Sequence, residues 1–464
     1  MPPNVLLIVL DTARADVVEP YSTAANTPAL AQLADRGAAL EGRATACWTV
    51  PSHASIFTGL LPRSAGLVKA PQGTPHSCRP VLEAQRDRLL PEVMRNAGYE
   101  TGALSTNFWI TEASGFATGF DRFETVGSQR QAQLQTDSLR SRVSWSVEAL
   151  RARVDDGADA AAATLERWAA EQREKPFFWF VNLVECHSPY LPPRPYNDLS
   201  PVERFRAGED ARRYQTMAAI WQACAGALEV PAESLARMRY LYEASIRALD
   251  DWVARVLEAL EGRGILEDTL VLVCSDHGEN FGEQHLIGHA FSLDERLTRV
   301  PLIAAGPGAP DLAGPVSLAA LPALIAAAVG VRDHPWEEPD GIALAQFEPP
   351  APRGDERGEE ARALWGSAPE AIDRLTEPRA SATDGQLKLI RSGQREQLFD
   401  LAGDPLEENP LPSTPAGGRD DALRAALDRA ESAAMQGDPA HVTPEPTQQE
   451  LDELEERMKL LGYM

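Results

Sequence analysis

Apolar runs alternating with helical stretches predict an α/β fold: a doubly wound, mostly parallel (mixed) sheet flanked by helices, with a smaller C-terminal subdomain containing a short antiparallel sheet. Three observations carry this. The runs at 4–11, 176–186 and 269–276 are almost continuously apolar, as strands covered on both faces are. Segments of helical spacing separate them. Asp11, Cys186-His187 and Asp276-His277 fall where those runs stop, and doubly wound sheets bind ligands beyond such strand ends.

Taken in order, 4–11 is an interior strand and 28–37, with Leu30 and Leu33 at helical spacing, a short helix. A strand at 38–45 leads into 46–59, a turn that delivers Thr49 onto a helix starting near Pro51. Proline suits a first helical position because its missing N–H has no intrahelical partner there, and Gly59 can cap the far end in a left-handed conformation. A helix at 89–98 precedes a strand at 100–107. The Ala-, Arg- and Glu-rich segment 125–175 reads as outer helices, and 176–186 is the strongest strand signal. The rigid loop 187–193 follows, then a variable excursion at 195–232 and a long amphipathic helix at 236–262. Strands at 269–276 and 300–305 precede a helix at 321–329, with Pro322 in its first turn and Gly330 past its end. Pro- and Glu-rich 335–358 is a linker or surface excursion. Strands at 387–391 and 397–401, loops at 410–418 and 437–447 and a closing helix at 448–461 complete the chain. The expected division is 1–345 for the catalytic domain and 346–464 for the C-terminal subdomain.

The chain has 464 residues, 44% of them hydrophobic, an ordinary globular composition. A net charge of -25 argues against nucleic-acid or anionic-membrane partners, which need basic surface. A small anionic ester remains compatible, because a metal and helix ends reverse the field inside a cleft. Five cysteines without a Cys-x-x-Cys pair suggest a reducing compartment. The apolar run at 5–10 is too short for a signal peptide or membrane span, so the expectation is a cytoplasmic protein. Assembly into a homo-oligomer is left open.

Asp11, Asp276 and His277 offer two carboxylates and an imidazole, and Thr49 adds an oxygen. The set suits one divalent ion (Mn, Zn, Mg or Ca), with the imidazole favouring Mn or Zn. An ion on Thr49 would favour its alkoxide and polarise an ester oxygen, while His187 and His289 neutralise the transferred group or protonate the leaving oxygen. Glu279 is placed to support His277, and His53 to touch substrate. Plainer readings exist for each: Asp11 or Thr49 as a helix cap, His187 or Tyr190 as a lock on its loop. Glu185, His187 and His289 form an alternative set for a second ion.

Together these motifs resemble the sulfatase branch of the alkaline phosphatase superfamily. The resemblance runs through 4–11, Thr49-Val50-Pro51-Ser52-His53 to Gly59 with Pro62, and His187-Ser188-Pro189-Tyr190. It continues through Asp276-His277-Gly278-Glu279, Gly288-His289, Arg299-Val300-Pro301, Lys388-Leu389-Ile390, Leu398-Phe399-Asp400-Leu401 and the Leu460-Leu461-Gly462-Tyr463 ending. It implies Asp11, Asp276 and His277 as metal ligands and Thr49 at the nucleophile position. His187 and His289 take substrate-binding or acid positions. The departures are specific. Thr49 replaces the Cys or Ser that becomes formylglycine, His53 replaces an Arg, and Thr12 a second Asp. Asn107-Phe108-Trp109 stands near the place of a Lys-Trp-His triplet, which makes Asn107 a substrate-binding candidate alongside His53 and Tyr190. A formylglycine hydrate keeps a second hydroxyl that expels sulfate, and a threonine ester has none. Water must then attack the transferred group itself, which is routine for phosphorus. The expectation is a hydrolase of phosphate or phosphonate esters. A sulfuric ester hydrolase with unmodified Thr49, a transferase to an alcohol, and a non-catalytic anion binder are the alternatives.

Overall fold

The computed structural model describes residues 2–70, 75–127, 147–152, 155–349, 375–412, 418 and 420–433. Its strands in chain order are β1 (Asn4–Leu10), β2 (Gly37–Arg43), β3 (Glu100–Ser105), β4 (Arg122–Thr125), β5 (Phe177–Leu183) and β6 (Thr269–Cys274). The two-residue strands β7 (Asn280–Phe281) and β8 (Ile287–Gly288) follow, then β9 (Arg299–Ala305) and β10 (Pro315–Ser317). Eight of these form one sheet in the order β10-β2-β9-β6-β1-β5-β3-β4. Only β9 runs against its neighbours β2 and β6; the other pairs are parallel.

The apolar runs are continuous because both faces of the sheet are buried, and alternate side chains enter different cores. Val5, Leu7 and Val9 of β1 pack with Phe178, Phe180, Leu270 and Leu272 on one face. Leu6, Ile8 and Leu10 pack with Trp179, Val181, Val271 and Val273 on the other. Parallel pairing of β1 with both β5 and β6 then brings the chain past Leu10, Leu183 and Cys274 to one edge of the sheet.

The helix after β2 spans Thr49–Thr58 and is buried along its whole length. It begins at Thr49, two residues before the expected start at Pro51. Pro51 is tolerated there because the first four N–H groups of a helix lack intrahelical acceptors. Gly59 closes the helix at φ 69° with its N–H on the Ser55 carbonyl, a backbone conformation that costs glycine little. The excursion at 195–232 contains two helices, Pro201–Tyr214 and Met217–Cys224, started by Ser200 and Thr216, whose hydroxyls accept the N–H of Glu203 and Ala219. The long helix runs Ala232–Glu261.

The C-terminal sheet has four strands where two were expected: β11 (Ala343–Phe347), β12 (Arg379–Thr383), β13 (Leu387–Ser392) and β14 (Arg395–Asp400), antiparallel in that order. β11 and β12 are five residues each and rich in Ala, so neither carries a strong strand signal. Helix Asp421–Ser432 packs on this sheet through Leu423 and Leu427. The expected closing helix at 448–461, the loop at 437–447, the Leu460–Tyr463 ending and parts of 125–175, 335–358 and 410–418 lie outside the described residues. Among the described residues no helix is long and apolar enough to cross a membrane.

Candidate active site

Beyond the carboxyl ends of β1, β5 and β6 lie Asp11, the 184–187 turn and Asp276-His277, these last two residues against the first turn of the Thr49–Thr58 helix. Asp11, Asp276 and His277 are fully buried, and one ligand atom from each lies within 4.8 Å of the others. Each carboxylate is divided. Asp276 Oδ1 accepts the N–H groups of Thr12 at 3.2 Å and His277 at 3.0 Å. Asp11 Oδ2 accepts the amides of Asn107 at 2.7 Å and Asn182 at 3.3 Å. The other oxygens, Asp11 Oδ1 and Asp276 Oδ2, are buried without a hydrogen-bond donor. They lie 3.9 and 3.4 Å from His277 Nε2, and Thr49 Oγ1 lies 3.4 Å from the same nitrogen.

Two donorless buried carboxylate oxygens beside a ring nitrogen are expensive unless a cation completes them. The donor set of carboxylates, an imidazole and a hydroxyl fits a divalent ion. The electrostatics agree. Burial, then repulsion from the neighbouring Asp276, pushes Asp11 above the ordinary carboxylate range, a repulsion that a cation would relieve. Burial and His289 bring His277 down to about 3, leaving it a neutral ring. Its Nδ1 sits 2.9 Å from the Gly278 carbonyl, so Nδ1 carries the hydrogen and Nε2 presents its lone pair to the cluster.

His187 and His289 stand at the open side of this cluster. Their ring centroids are 4.7 Å apart, and His289 is 4.6 Å from His277. His187 Nδ1 is fixed on the Ser188 carbonyl at 2.8 Å. His289 Nδ1 meets Glu279 Oε1 at 3.1 Å, and the Tyr190 hydroxyl donates to Glu279 Oε2 at 2.6 Å. Burial opposes charge on both partners. Glu279 nonetheless lifts His289 above the ordinary imidazole range, and His289 in turn holds Glu279 below the carboxylate range. The β7–β8 hairpin positions this pair; it is anchored by buried Arg14, which donates to Glu283 at 2.7 Å and to the Glu279 carbonyl at 3.0 Å.

Seven expected residues, Asp11, Thr49, His53, His187, Asp276, His277 and His289, are therefore gathered in one place, but several sit differently than the sequence suggests. Glu279 supports His289, not His277, because Gly278 already occupies His277 Nδ1. Asn107 is buried, with its amide on Asp11 and its carbonyl oxygen on the Trp109 N–H at 2.7 Å. Tyr190 is buried against Glu279. His53 is fully buried, its Nδ1 2.9 Å from the Thr49 carbonyl and its Nε2 3.1 Å from Asn182 Nδ2. These three polar groups face the cluster's supports. Burial opposes charge on His53, yet Asp276 and Asp11 pull its pKa upward. Glu185 is engaged elsewhere: its Oε1 accepts the Ala158 N–H at 2.7 Å, and burial with Asp156 and Asp155 pushes it up to about 8. The alternative set of Glu185, His187 and His289 is thus not assembled. Asn182 was not anticipated. Its signal is that it is the one polar residue in the β5 run Phe-Phe-Trp-Phe-Val-Asn-Leu. Thr49 carries no cap: the residue before it, Trp48, makes no side-chain capping bond, and the Thr49 hydroxyl faces His277.

A family model described as Sulfatase matches residues 3–328. The choline-sulfatase of Rhizobium meliloti is 30% identical over 275 residues, 57% of this chain and 51% of that protein. The multifunctional alkaline phosphatase superfamily protein PehA of Trinickia caryophylli is 23% identical over 487 residues, covering 89% of this chain and 92% of that one. The chain spans about half the length of the first of these relatives. Among solved structures, the phosphonate monoester hydrolase of Agrobacterium radiobacter superposes with a TM-score of 0.60 at 21% identity, over 92% of this chain and 94% of that one. That likeness carries the fold.

Proposed function

The chain belongs to the sulfatase family of ester hydrolases, and on that premise we propose that it cleaves phosphate or phosphonate esters through an unmodified Thr49 nucleophile beside one divalent ion. Asp11, Asp276, His277 and Thr49 would hold the ion. The observation that supports this most is the pair of donorless oxygens, Asp11 Oδ1 and Asp276 Oδ2, converging with His277 Nε2 beside the Thr49 hydroxyl. When bound, the ion makes the hydroxyl it touches more acidic and draws charge from an ester oxygen.

The chain's own residues supply the rest. Thr49 sits on the first turn of a buried helix, so its Oγ1 approaches the ester with little freedom to lose. His289, whose pKa Glu279 raises, faces the same space and donates a proton to the departing oxygen. His187, fixed through Nδ1 on the Ser188 carbonyl, stands beside His289 and would meet the ester's own oxygens. The Thr49 hydroxyl loses its proton to solvent as its oxygen attacks, and the alcohol leaves with the proton from His289. Water then cleaves the threonine ester at the transferred atom, its proton returning to His289. Phosphorus accepts that second attack, and the absence of a second hydroxyl on Thr49 disfavours sulfur.

The test is turnover of aryl phosphodiester, aryl phosphonate and aryl sulfate panels by metal-stripped protein reloaded with Mn or Zn. The phosphorus esters should be turned over in the reloaded protein and not in the stripped one. Preference for the sulfate would overturn the assignment of substrate class. Turnover of none, with anion binding retained, would make the chain a non-catalytic binder.

A further inference from the structure

We propose that His53 and Asn182 form a buried bracket that sets the spacing of the Asp11 and Asp276 carboxylates, and so act as positioning residues for the cation; this rests on the reading of that cluster as a metal site.

Asn182 is fully buried near the end of an otherwise apolar strand, where an amide is costly unless bonded. Its Nδ2 lies 3.3 Å from Asp11 Oδ2 and 3.1 Å from His53 Nε2. An amide nitrogen carries two hydrogens and an ionised carboxylate only accepts. One hydrogen therefore goes to Asp11 and the other to His53. Turning the amide over would set its oxygen against the carboxylate, so the orientation is fixed. The tautomer of His53 follows. Nε2 must present a lone pair, and Nδ1 must carry the hydrogen. That hydrogen points to the Thr49 carbonyl at 2.9 Å, with Asp276 Oδ2 3.4 Å from the same nitrogen.

The ring is fully buried between two aromatic side chains. Phe116 and Phe180 meet it edge to face, with centroids 6.2 and 6.0 Å away. The result is a chain of contacts, Asp11 to Asn182 to His53 to Asp276 and the Thr49 backbone, that passes behind the cluster through protein alone. Asn107 and Ser52 extend it: Asn107 takes the same oxygen of Asp11, and the Ser52 hydroxyl donates to the Asp276 carbonyl at 2.6 Å. Two carboxylates that repel one another are thereby held at a set spacing, Asp11 through its Oδ2 on Asn182 and Asp276 with its Oδ2 3.4 Å from His53 Nδ1.

The experiment measures Mn(II) affinity of the full chain, stripped by chelator and titrated with free ion read by electron paramagnetic resonance, with thermal melting as the check on folding. Asn182→Leu and His53→Phe each remove the bracket while keeping bulk. Each should weaken Mn(II) binding by roughly 10- to 100-fold, the usual cost of losing an outer support of a metal ligand. Because the two residues act in series, the double variant should be no weaker than the worse single one. His53→Asn, whose amide nitrogen is bonded to Cγ as Nδ1 is, should recover part of the loss. Folded single variants that bind Mn(II) as tightly as wild type would overturn the bracket, as would losses that simply multiply in the double variant. Should Asn182→Leu not fold, His53→Phe against His53→Asn decides the same question. A wild-type chain that binds no Mn(II) would remove the bracket and the metal reading together, an outcome distinct from the others.

Discussion

Asp11 and Asp276 each spend one oxygen on N–H donors and keep the other bare, and that division was only half legible in the sequence. A carboxylate at the end of an apolar strand marks a position facing the ligand edge, so Asp11, Asp276 and His277 could be found by their place in the pattern. Their supports could not. Asn107, Asn182 and His53 come from three different elements, and which polar group turns toward which carboxylate is decided by packing that no local pattern encodes. The same holds for Glu279, whose partner became His289 because the Gly278 carbonyl had already taken His277 Nδ1. The Glu279–His289 pair yields a pH prediction. His289 has its pKa raised by Glu279, so its proton is retained above the ordinary imidazole range and lost only as pH rises through the raised value. In Glu279→Gln that support is gone, and the alkaline limb of the rate profile should move to lower pH; an unmoved limb would exclude His289 as the proton donor. In His289→Ala, kcat/KM should fall by roughly 100-fold or more at neutral pH.

At the scale of elements, the site depends on close backbone approach between the loop after β6 and the short helix Glu295–Thr298. The Gly278 N–H donates to the Leu297 carbonyl at 2.9 Å, and a Cβ on Gly278 would lie 1.9 Å from the Arg296 carbonyl oxygen. Gly278→Ala must therefore push the loop that carries Asp276 and His277. Overpacking of this kind costs about 1–3 kcal/mol, and metal affinity should fall with stability. A variant with wild-type melting and wild-type Mn(II) binding would show that the approach is not needed. Strands with strong patterns were readable here. β1, β5, β6 and β9 end within two or three residues of the expected places. β4, β10, β11 and β12 were not seen, because they are three to five residues long and their pairing depends on distant partners. The start of the Thr49–Thr58 helix was misplaced for a different reason: a proline in the first turn does not say which of the first positions it holds.

Across the whole molecule, a buried ionic cluster joins the C-terminal sheet to the site-bearing one. Lys388 of β13 lies 3.0 Å from both Glu295 and Glu407, and bonds Thr298 at 2.9 Å, while Arg43 of β2 also pairs with Glu295. Burial, together with Glu295 and Asp294, pushes Glu407 up to about 7 even though Lys388 opposes the rise. A carboxyl with a raised folded pKa binds more protons folded than unfolded. Its contribution is therefore full below the unfolded value of 4.5 and is lost as pH climbs towards about 7. Glu407→Gln should flatten that part of the stability profile, measured as the urea midpoint against pH, and an identical slope would contradict the assignment. This joint was invisible in the sequence, where Lys388, Glu295, Glu407 and Arg43 lie far apart and no local pattern pairs them.

The proposition on which the rest depends is that the Thr49 oxygen attacks the ester. The most direct test is kcat/KM of Thr49→Ala, reloaded with Mn(II) to saturation, on the ester that wild type cleaves fastest. Loss of the nucleophile should lower it by at least about a thousandfold while Mn(II) still binds. Turnover close to that of wild type would show that the hydroxyl is a bystander and that water attacks without it.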